Sequence, residues 1–241
     1  MYLQHFGLER QPFRLTAESD FLYMSPNHAR AKAYMDYSVL RGEGFVVITG
    51  EVGAGKTTLL HRLVAGLPEQ VTVVRIDNTQ LSEVELLVSM LRALDVEADA
   101  AAGKPELLAR IRAAVAAVVR GGRTVVLAID EAQSLGYRVL EEIRMLAGLE
   151  FGDGPGLTVI LLGQPELGQL LDAAGMEQLR QRVRLRFHLR GLTREESRKY
   201  IETRLRVAGA ADPAAPFDAA IYPLLHEYTG GIPRLINTLC D

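Results

Sequence analysis

Eight consecutive residues, Gly50, Glu51, Val52, Gly53, Ala54, Gly55, Lys56 and Thr57, fit the pattern GxxxxGK[ST], and Thr58 follows them. They stand between an apolar strand-like run and an amphipathic helix-like run. Such residues in this order suit the binding of a nucleoside triphosphate. Glycines let successive main-chain N–H groups converge on phosphates, the Lys56 ammonium supplies a point charge to the β and γ groups, and the Thr57 hydroxyl can ligate Mg²⁺. An ordinary glycine-rich turn is the alternative, and the strand-before, helix-after context speaks against it.

Asp130 and Glu131 close a hydrophobic run 74 positions after Lys56. In that place Asp130 would hold the hydration shell of Mg²⁺, and Glu131 would orient or deprotonate an attacking water. The same acidic pair would also suit the first turn of a helix. Gln164 ends the next apolar run, and its amide could contact the γ-phosphate or the water at a carboxyl-terminal strand end, or simply face solvent.

Phosphoryl transfer spreads negative charge over the equatorial oxygens, so a mobile cation is expected to join the site. Arg182, immediately before a predicted edge strand, is expected to project into a neighbouring subunit's site, with Arg180 in reserve. Arg184, Arg186, Arg190, Arg198 and Arg206 read as a solvated basic face. Arg234, in the first turn of a predicted helix, could turn back toward the phosphates or close a buried salt bridge.

These residues need a frame that presents strand ends. Phe45–Thr49, Val71–Ile76, Thr124–Ile129 and Leu157–Leu162 are short apolar runs of the kind that form buried parallel strands. Between them lie helical periods over 57–64, from the Ser82 cap onward, over Lys104–Arg120 and over Val139–Leu149, with an Ala/Asp-rich loop at Asp95–Gly103. Val183–Leu189 alternates apolar and basic residues, which predicts a strand at the sheet edge with one face exposed. After Gly191 only helices are expected, over 194–207, 218–228 and from Pro233 on. The fold class is therefore α/β, a parallel sheet sandwiched by helices, with a small C-terminal helical lid. Ser25-Pro26 starts a further helix to about Leu40. Phe13, Phe21 and Tyr23 could pack an adenine base, although plain core packing is the favoured reading.

The 241 residues are 48% hydrophobic, enough for one sizeable core with a small domain attached. The single cysteine, Cys240, cannot form an internal disulfide, and no Cys/His cluster has zinc spacing. Neither a signal peptide nor a run of 18 apolar residues is present, so a cytoplasmic chain without a membrane segment is expected. Net charge is −3, yet 180–206 carries ten Lys/Arg against three Glu, so the rest of the chain is acidic.

Together the motifs resemble those of the AAA+ ATPases, P-loop NTPases with Walker A at Gly50–Thr57 and Walker B at Asp130-Glu131. In that resemblance Gln164 stands as sensor 1, Arg182 as the arginine finger, and Gly231, Arg234 and Asn237 as sensor 2. More narrowly, Phe6-Gly7-Leu8 with Pro12-Phe13, Phe21-Leu22-Tyr23 with Ser25 and His28, Gly163-Gln164-Pro165-Glu166-Leu167, Leu179–Val183 and Gly230–Arg234 are similar to segments of the ExeA/GspA-type secretion ATPases and their exosortase-locus relatives. The resemblance implies ATP and Mg²⁺ as cofactors and ATP hydrolysis as the activity. It also implies homo-oligomers completed by a neighbour's arginine, and secretion or envelope proteins as partners. A 1–44 extension on the nucleotide site, a 45–190 core and a 191–241 lid follow from it. Members commonly continue into membrane and peptidoglycan-binding regions, so this chain, ending inside a predicted helix, is expected to be part of a longer protein that reaches the inner membrane. Gln164 departs from the Asn, Ser or Thr common at sensor 1 in the wider family. Transposition regulators of the TniB/MuB type resemble the same branch, which makes an ATP-dependent DNA-binding adaptor the alternative, and a nucleotide-gated switch with little hydrolysis a third reading.

Overall fold

A computed structural model describes residues 2–15, 21–42, 44–99, 101–151 and 154–241. Met1, 16–20 and Glu43 of the expected extension, and Ala100 of the Ala/Asp-rich loop, lie outside them. In chain order the elements begin with α1 (Tyr2–His5), α2 (Pro26–Arg41), β1 (Phe45–Gly50), α3 (Lys56–Ala65), β2 (Val71–Ile76), α4 (Glu83–Ala93), α5 (Lys104–Arg120) and β3 (Thr124–Ile129). They continue through α6 (Tyr137–Ala147), β4 (Glu150–Phe151), β5 (Gly154–Pro155), β6 (Leu157–Gly163), α7 (Pro165–Asp172), α8 (Glu177–Arg182), β7 (Val183–Leu189), α9 (Arg194–Val207), α10 (Ile221–Thr229) and α11 (Pro233–Cys240).

The chain divides into two compact units. One comprises Ala31–Thr49 and Leu63–His188, the other Met1–Arg30, Gly50–Arg62 and Leu189–Asp241.

The first unit is built on a five-stranded sheet in the order β2-β3-β6-β1-β7. The pairs β2–β3, β3–β6 and β6–β1 are parallel, with Ile76 opposite Ile129, Ile129 opposite Leu161 and Thr49 opposite Gly163. Such a sheet needs helical crossovers on its faces, which is why β3 and β6 are apolar at nearly every position and buried at every one but the half-buried Thr124. Helix α4 begins at a capping box in which Ser82 Oγ accepts the Glu85 N–H and the Glu85 carboxylate accepts the Ser82 N–H at 2.7 Å. It buries Leu86, Leu87, Met90 and Leu91 in the same core as Leu107, Ile111 and Val115 of α5. Each fully buried leucine contributes about 2 kcal/mol, so this core carries most of the unit's stability. At the far edge, β7 alternates as expected, with Arg184, Arg186 and His188 exposed.

The second unit gathers α9, α10 and α11 with the amino-terminal segment. Leu8, Phe13 and Phe21 pack with Leu192, Tyr200, Ile201, Leu205, Tyr222 and Ile236, and Tyr23 lies against that cluster. Phe13 and Phe21 are thus core residues, buried at 2% and 3% exposure. Arg204 is buried there too. Its guanidinium donates to the carbonyls of Pro12 and Arg14 and to the Tyr200 hydroxyl, and it lies 4.7 Å from the Phe21 ring centroid. This cation closes main-chain valences that burial would leave open.

Some elements differ from expectation. Helix α6 runs from Tyr137 to Ala147 because Gly136 provides an extended N-cap and Gly148 the C-cap. Helix α10 starts at Ile221, since Asp218 accepts the Ala220 N–H at 2.8 Å and makes a turn there. The short β4–β5 hairpin, α7 and α8 were not foreseen. Among the described residues no helix is long and apolar enough to cross a membrane.

Candidate functional site

The glycine-rich loop belongs to the second unit, and each of its three glycines faces a neighbour at close range. A Cβ on Gly50 would come within 2.6 Å of the Leu189 carbonyl oxygen. Gly53 (φ 80°) and Gly55 (φ 99°) adopt left-handed backbone that side chains disfavour, and a Cβ on Gly53 would overlap the Arg234 side chain. At Gly55 a Cβ would lie 2.9 Å from His28 Nε2. The glycines therefore serve the loop's packing as well as its main-chain reach.

Lys56, first residue of α3, is buried at 5% exposure and donates from Nζ to the carbonyls of Gly50 (2.8 Å) and Glu51 (3.1 Å). The ammonium is held over the loop it would share with a phosphate. Thr57 and Thr58 follow it in the first turn of α3, partly buried.

His28, in the first turn of α2, meets the loop through two hydrogen bonds. Nε2 lies 3.0 Å from the Ala54 carbonyl and Nδ1 lies 2.7 Å from Ser25 Oγ. A carbonyl only accepts, so Nε2 carries the proton and Nδ1 accepts from the Ser25 hydroxyl. Burial pushes the imidazole below its ordinary pKa, while the Ala54 carbonyl and the charge of Glu196 pull the other way. Sequence reasoning reached His28 only through resemblance; nothing in its neighbours marks it as a loop contact.

Arg234, at the second position of α11, donates its N–H to the Gly53 carbonyl at 3.3 Å. Pro233 at the first helical position sets that entry. A Cβ on Gly231 (φ 73°) would overlap the Leu192 main chain, and the Leu192 N–H donates to the Gly231 carbonyl at 2.8 Å. Asn237 is buried and accepts from the Tyr200 hydroxyl at 2.8 Å, so it braces α11 against α9. Cys240 is partly buried, and burial pushes its thiol up to about 12, which leaves it a poor nucleophile.

In the sheet-bearing unit, Asp130 and Glu131 follow β3. Asp130 is 7% exposed, and its Oδ1 accepts the Glu131 N–H at 2.9 Å. Glu131 stands in left-handed backbone (φ 53°, ψ 36°), a conformation that costs a non-glycine residue about 1 kcal/mol. The 3-10 turn Ala132–Ser134 begins there, pinned by the fully buried Ala132. Gln164 caps α7, one residue past the Gly163 that pairs with Thr49, and its Nε2 donates to Glu131 Oε2 at 3.2 Å. Gln133 reaches the same two residues. Its Nε2 donates to Glu131 Oε2 at 2.6 Å and its Oε1 accepts the Gln164 N–H at 3.0 Å. No sequence motif pointed to Gln133, because its role depends on where a tight turn aims its side chain.

Arg182 ends α8, and its Nη1 donates to the Arg144 carbonyl at 3.3 Å, with the guanidinium over Gly148. The cation thus sits at the carboxyl end of α6, where helix carbonyls attract it. Arg180 lies two residues earlier and is exposed. Of the basic residues around it, Arg186 pairs with Asp172 at 2.7 Å. On α9, Arg198 pairs with Glu202 at 2.7 Å and Lys199 with Glu195 at 2.6 Å.

A family model described as "AAA domain" matches residues 39–171. General secretion pathway protein A of Aeromonas hydrophila is 40% identical over all 241 residues, which span 44% of that relative's length. Among solved structures, the CDC6P protein of Pyrobaculum aerophilum aligns at TM-score 0.71 and 16% identity, over 94% of this chain and 62% of that one. The Aeropyrum pernix ORC2 protein, solved as ADPNP-ADP complexes, aligns at TM-score 0.66 and 18% identity, over 96% and 65%. The Thermotoga maritima RuvB Holliday junction branch migration motor aligns at TM-score 0.58 and 19% identity, over 95% and 64%. At such identities the structural likeness speaks for the fold alone. With the family match covering more than half of its length, this chain belongs to the AAA domain family, the AAA+ ATPases.

Proposed function

We propose that the chain binds and hydrolyses ATP with Mg²⁺ as an oligomerising AAA+ ATPase, and that it assists assembly of a secretion or export apparatus at the inner membrane from the cytoplasmic side. The observation that carries the nucleotide reading is the loop itself. Gly53 and Gly55 adopt left-handed backbone and the loop's lysine is buried against the loop carbonyls, an arrangement suited to a polyphosphate. The secretion reading rests on the 40% identical relative, whose longer chain leaves its partners a matter of proposal here.

In this reading the main chain from Gly50 to Thr58 cradles the phosphates and Lys56 neutralises the β and γ groups. Thr57 offers a hydroxyl and Asp130 a carboxylate, oxygen donors of the kind a hard cation prefers. Mg²⁺, when bound, offsets charge on the β and γ oxygens. Glu131 orients a water and takes its proton as the oxygen attacks the γ-phosphorus and the bond to the β-phosphate oxygen breaks, giving ADP and phosphate. Gln164 senses the γ-phosphate, Arg234 supports it within the chain, and Arg182, with Arg180 in reserve, serves a neighbouring subunit. The 1–44 extension, the 45–190 core and the 191–241 lid divide this work, and the His28 contact to Ala54 supports an extension that packs on the loop.

The DNA-adaptor alternative draws on the basic 180–206 segment. Arg186, Arg198 and Lys199 have carboxylate partners and Arg204 is buried against carbonyls, so that segment offers less to a phosphate backbone than its charge suggests. The test is turnover against protein concentration. Specific activity should rise with concentration, and Arg182→Ala should lose it while still binding ATP. Unchanged specific activity on dilution together with a fully active Arg182→Ala would contradict the shared site.

A further inference from the structure

The contacts of Gln133 have only one consistent orientation. The Gln164 N–H can only donate, so Gln133 must present its carbonyl there, and its NH₂ then faces the Glu131 carboxylate. A flipped amide would set carbonyl against carboxylate and NH₂ against N–H, losing both bonds. Gly163 leaves room for the arrangement, since a Cβ there would lie 2.7 Å from Gln133 Oε1. The main chain on either side is equally constrained, by the buried Ala132 before it and by the turn in which Ser134 N–H donates to the Glu131 carbonyl at 3.0 Å.

We propose that Gln133 is a positioning residue for hydrolysis, a strut that ties the aim of the Glu131 carboxylate to the position of Gln164. This rests on the reading of Glu131 as the group that orients the attacking water. Gln133 and Gln164 donate to the same oxygen, Oε2, and the Gln133 carbonyl simultaneously holds the main chain of Gln164. A glutamate side chain has three rotatable bonds, and two fixed amide donors select one orientation from many. Any movement of Gln164 main chain toward or away from a bound γ-phosphate then shifts the strut and with it the carboxylate.

The test compares wild type, Glu131→Gln, Gln133→Ala and Gln133→Glu for turnover and nucleotide affinity. Gln133→Ala should lower kcat by about ten- to a hundredfold while leaving the ATP Kd within about twofold. Gln133→Glu keeps an acceptor for the Gln164 N–H but loses the donor to Glu131, so its kcat should fall comparably with the ATP Kd again within about twofold. If Gln133→Ala fails to fold, the split of kcat from Kd in Gln133→Glu decides alone. A wild-type kcat in Gln133→Ala or in Gln133→Glu overturns the strut while Glu131→Gln still abolishes turnover. A wild type that binds ATP and never turns it over, or a fully active Glu131→Gln, overturns the hydrolytic reading beneath it and the strut with it.

Discussion

His28 Nε2 donates to the Ala54 carbonyl across 3.0 Å, so an imidazole from the first turn of α2 holds the main chain of the phosphate loop. The neutral form is the one that fits. Ser25 occupies Nδ1, and burial disfavours the cation.

The unfolded chain protonates this histidine near its ordinary 6.5, whereas the folded chain resists until lower pH. The histidine's contribution is therefore complete above about pH 6.5 and is lost as pH falls toward the folded value. His28→Ala should cost about 1–3 kcal/mol at neutral pH, and the difference from wild type should shrink on acidification. Denaturant titrations of both proteins from about pH 7.5 to 5.5 check this, and a difference independent of pH contradicts it.

Gly53→Ala should weaken nucleotide binding more than it lowers stability. Left-handed backbone costs alanine about 1 kcal/mol. The new methyl group would also displace Arg234, whose N–H holds the Gly53 carbonyl, and so shift the loop proposed to bind phosphates. Equilibrium binding and urea unfolding on the same material separate the two effects, and wild-type affinity in Gly53→Ala would contradict the loop geometry.

Arg204→Leu should destabilise the protein by about 2–4 kcal/mol, because it strands the buried carbonyl of Pro12 and removes the Arg204 bonds to Arg14 and Tyr200. Thermal unfolding should move down by roughly 5–10 °C. Arg206→Leu, two residues on and exposed, should stay within about 0.5 kcal/mol. Equal losses in the two variants would refute the buried clamp.

Much of the frame was legible because its signals are local. β2, β3, α5, β7 and α9 lie where apolar periodicity and caps put them, and the single-face exposure of β7 follows from its alternation of arginine with apolar residues. Helices α7 and α8 were not legible, since they are short and bury only Leu167, Leu171 and Leu179. Within the candidate site, the loop, Asp130, Glu131 and Gln164 could be named because residue type and strand-end position carry information. Gln133 and Arg204 could not, for their partners are set by tertiary aim: a turn pinned by Ala132, and a guanidinium 192 residues from the carbonyl it closes. Arg204 also shows how composition misleads, since a cation counted toward a basic surface is buried.

We propose that main-chain amides and the Lys56 ammonium grip a triphosphate, and calorimetric titration of ATP with Mg²⁺ into folded wild type and Lys56→Ala measures that grip. Saturable uptake near one nucleotide per chain is expected for wild type, and binding weaker by about ten- to a hundredfold for Lys56→Ala, the loss of a charged hydrogen-bond donor. No uptake by folded wild type, or equal affinity in the two proteins, would contradict the account.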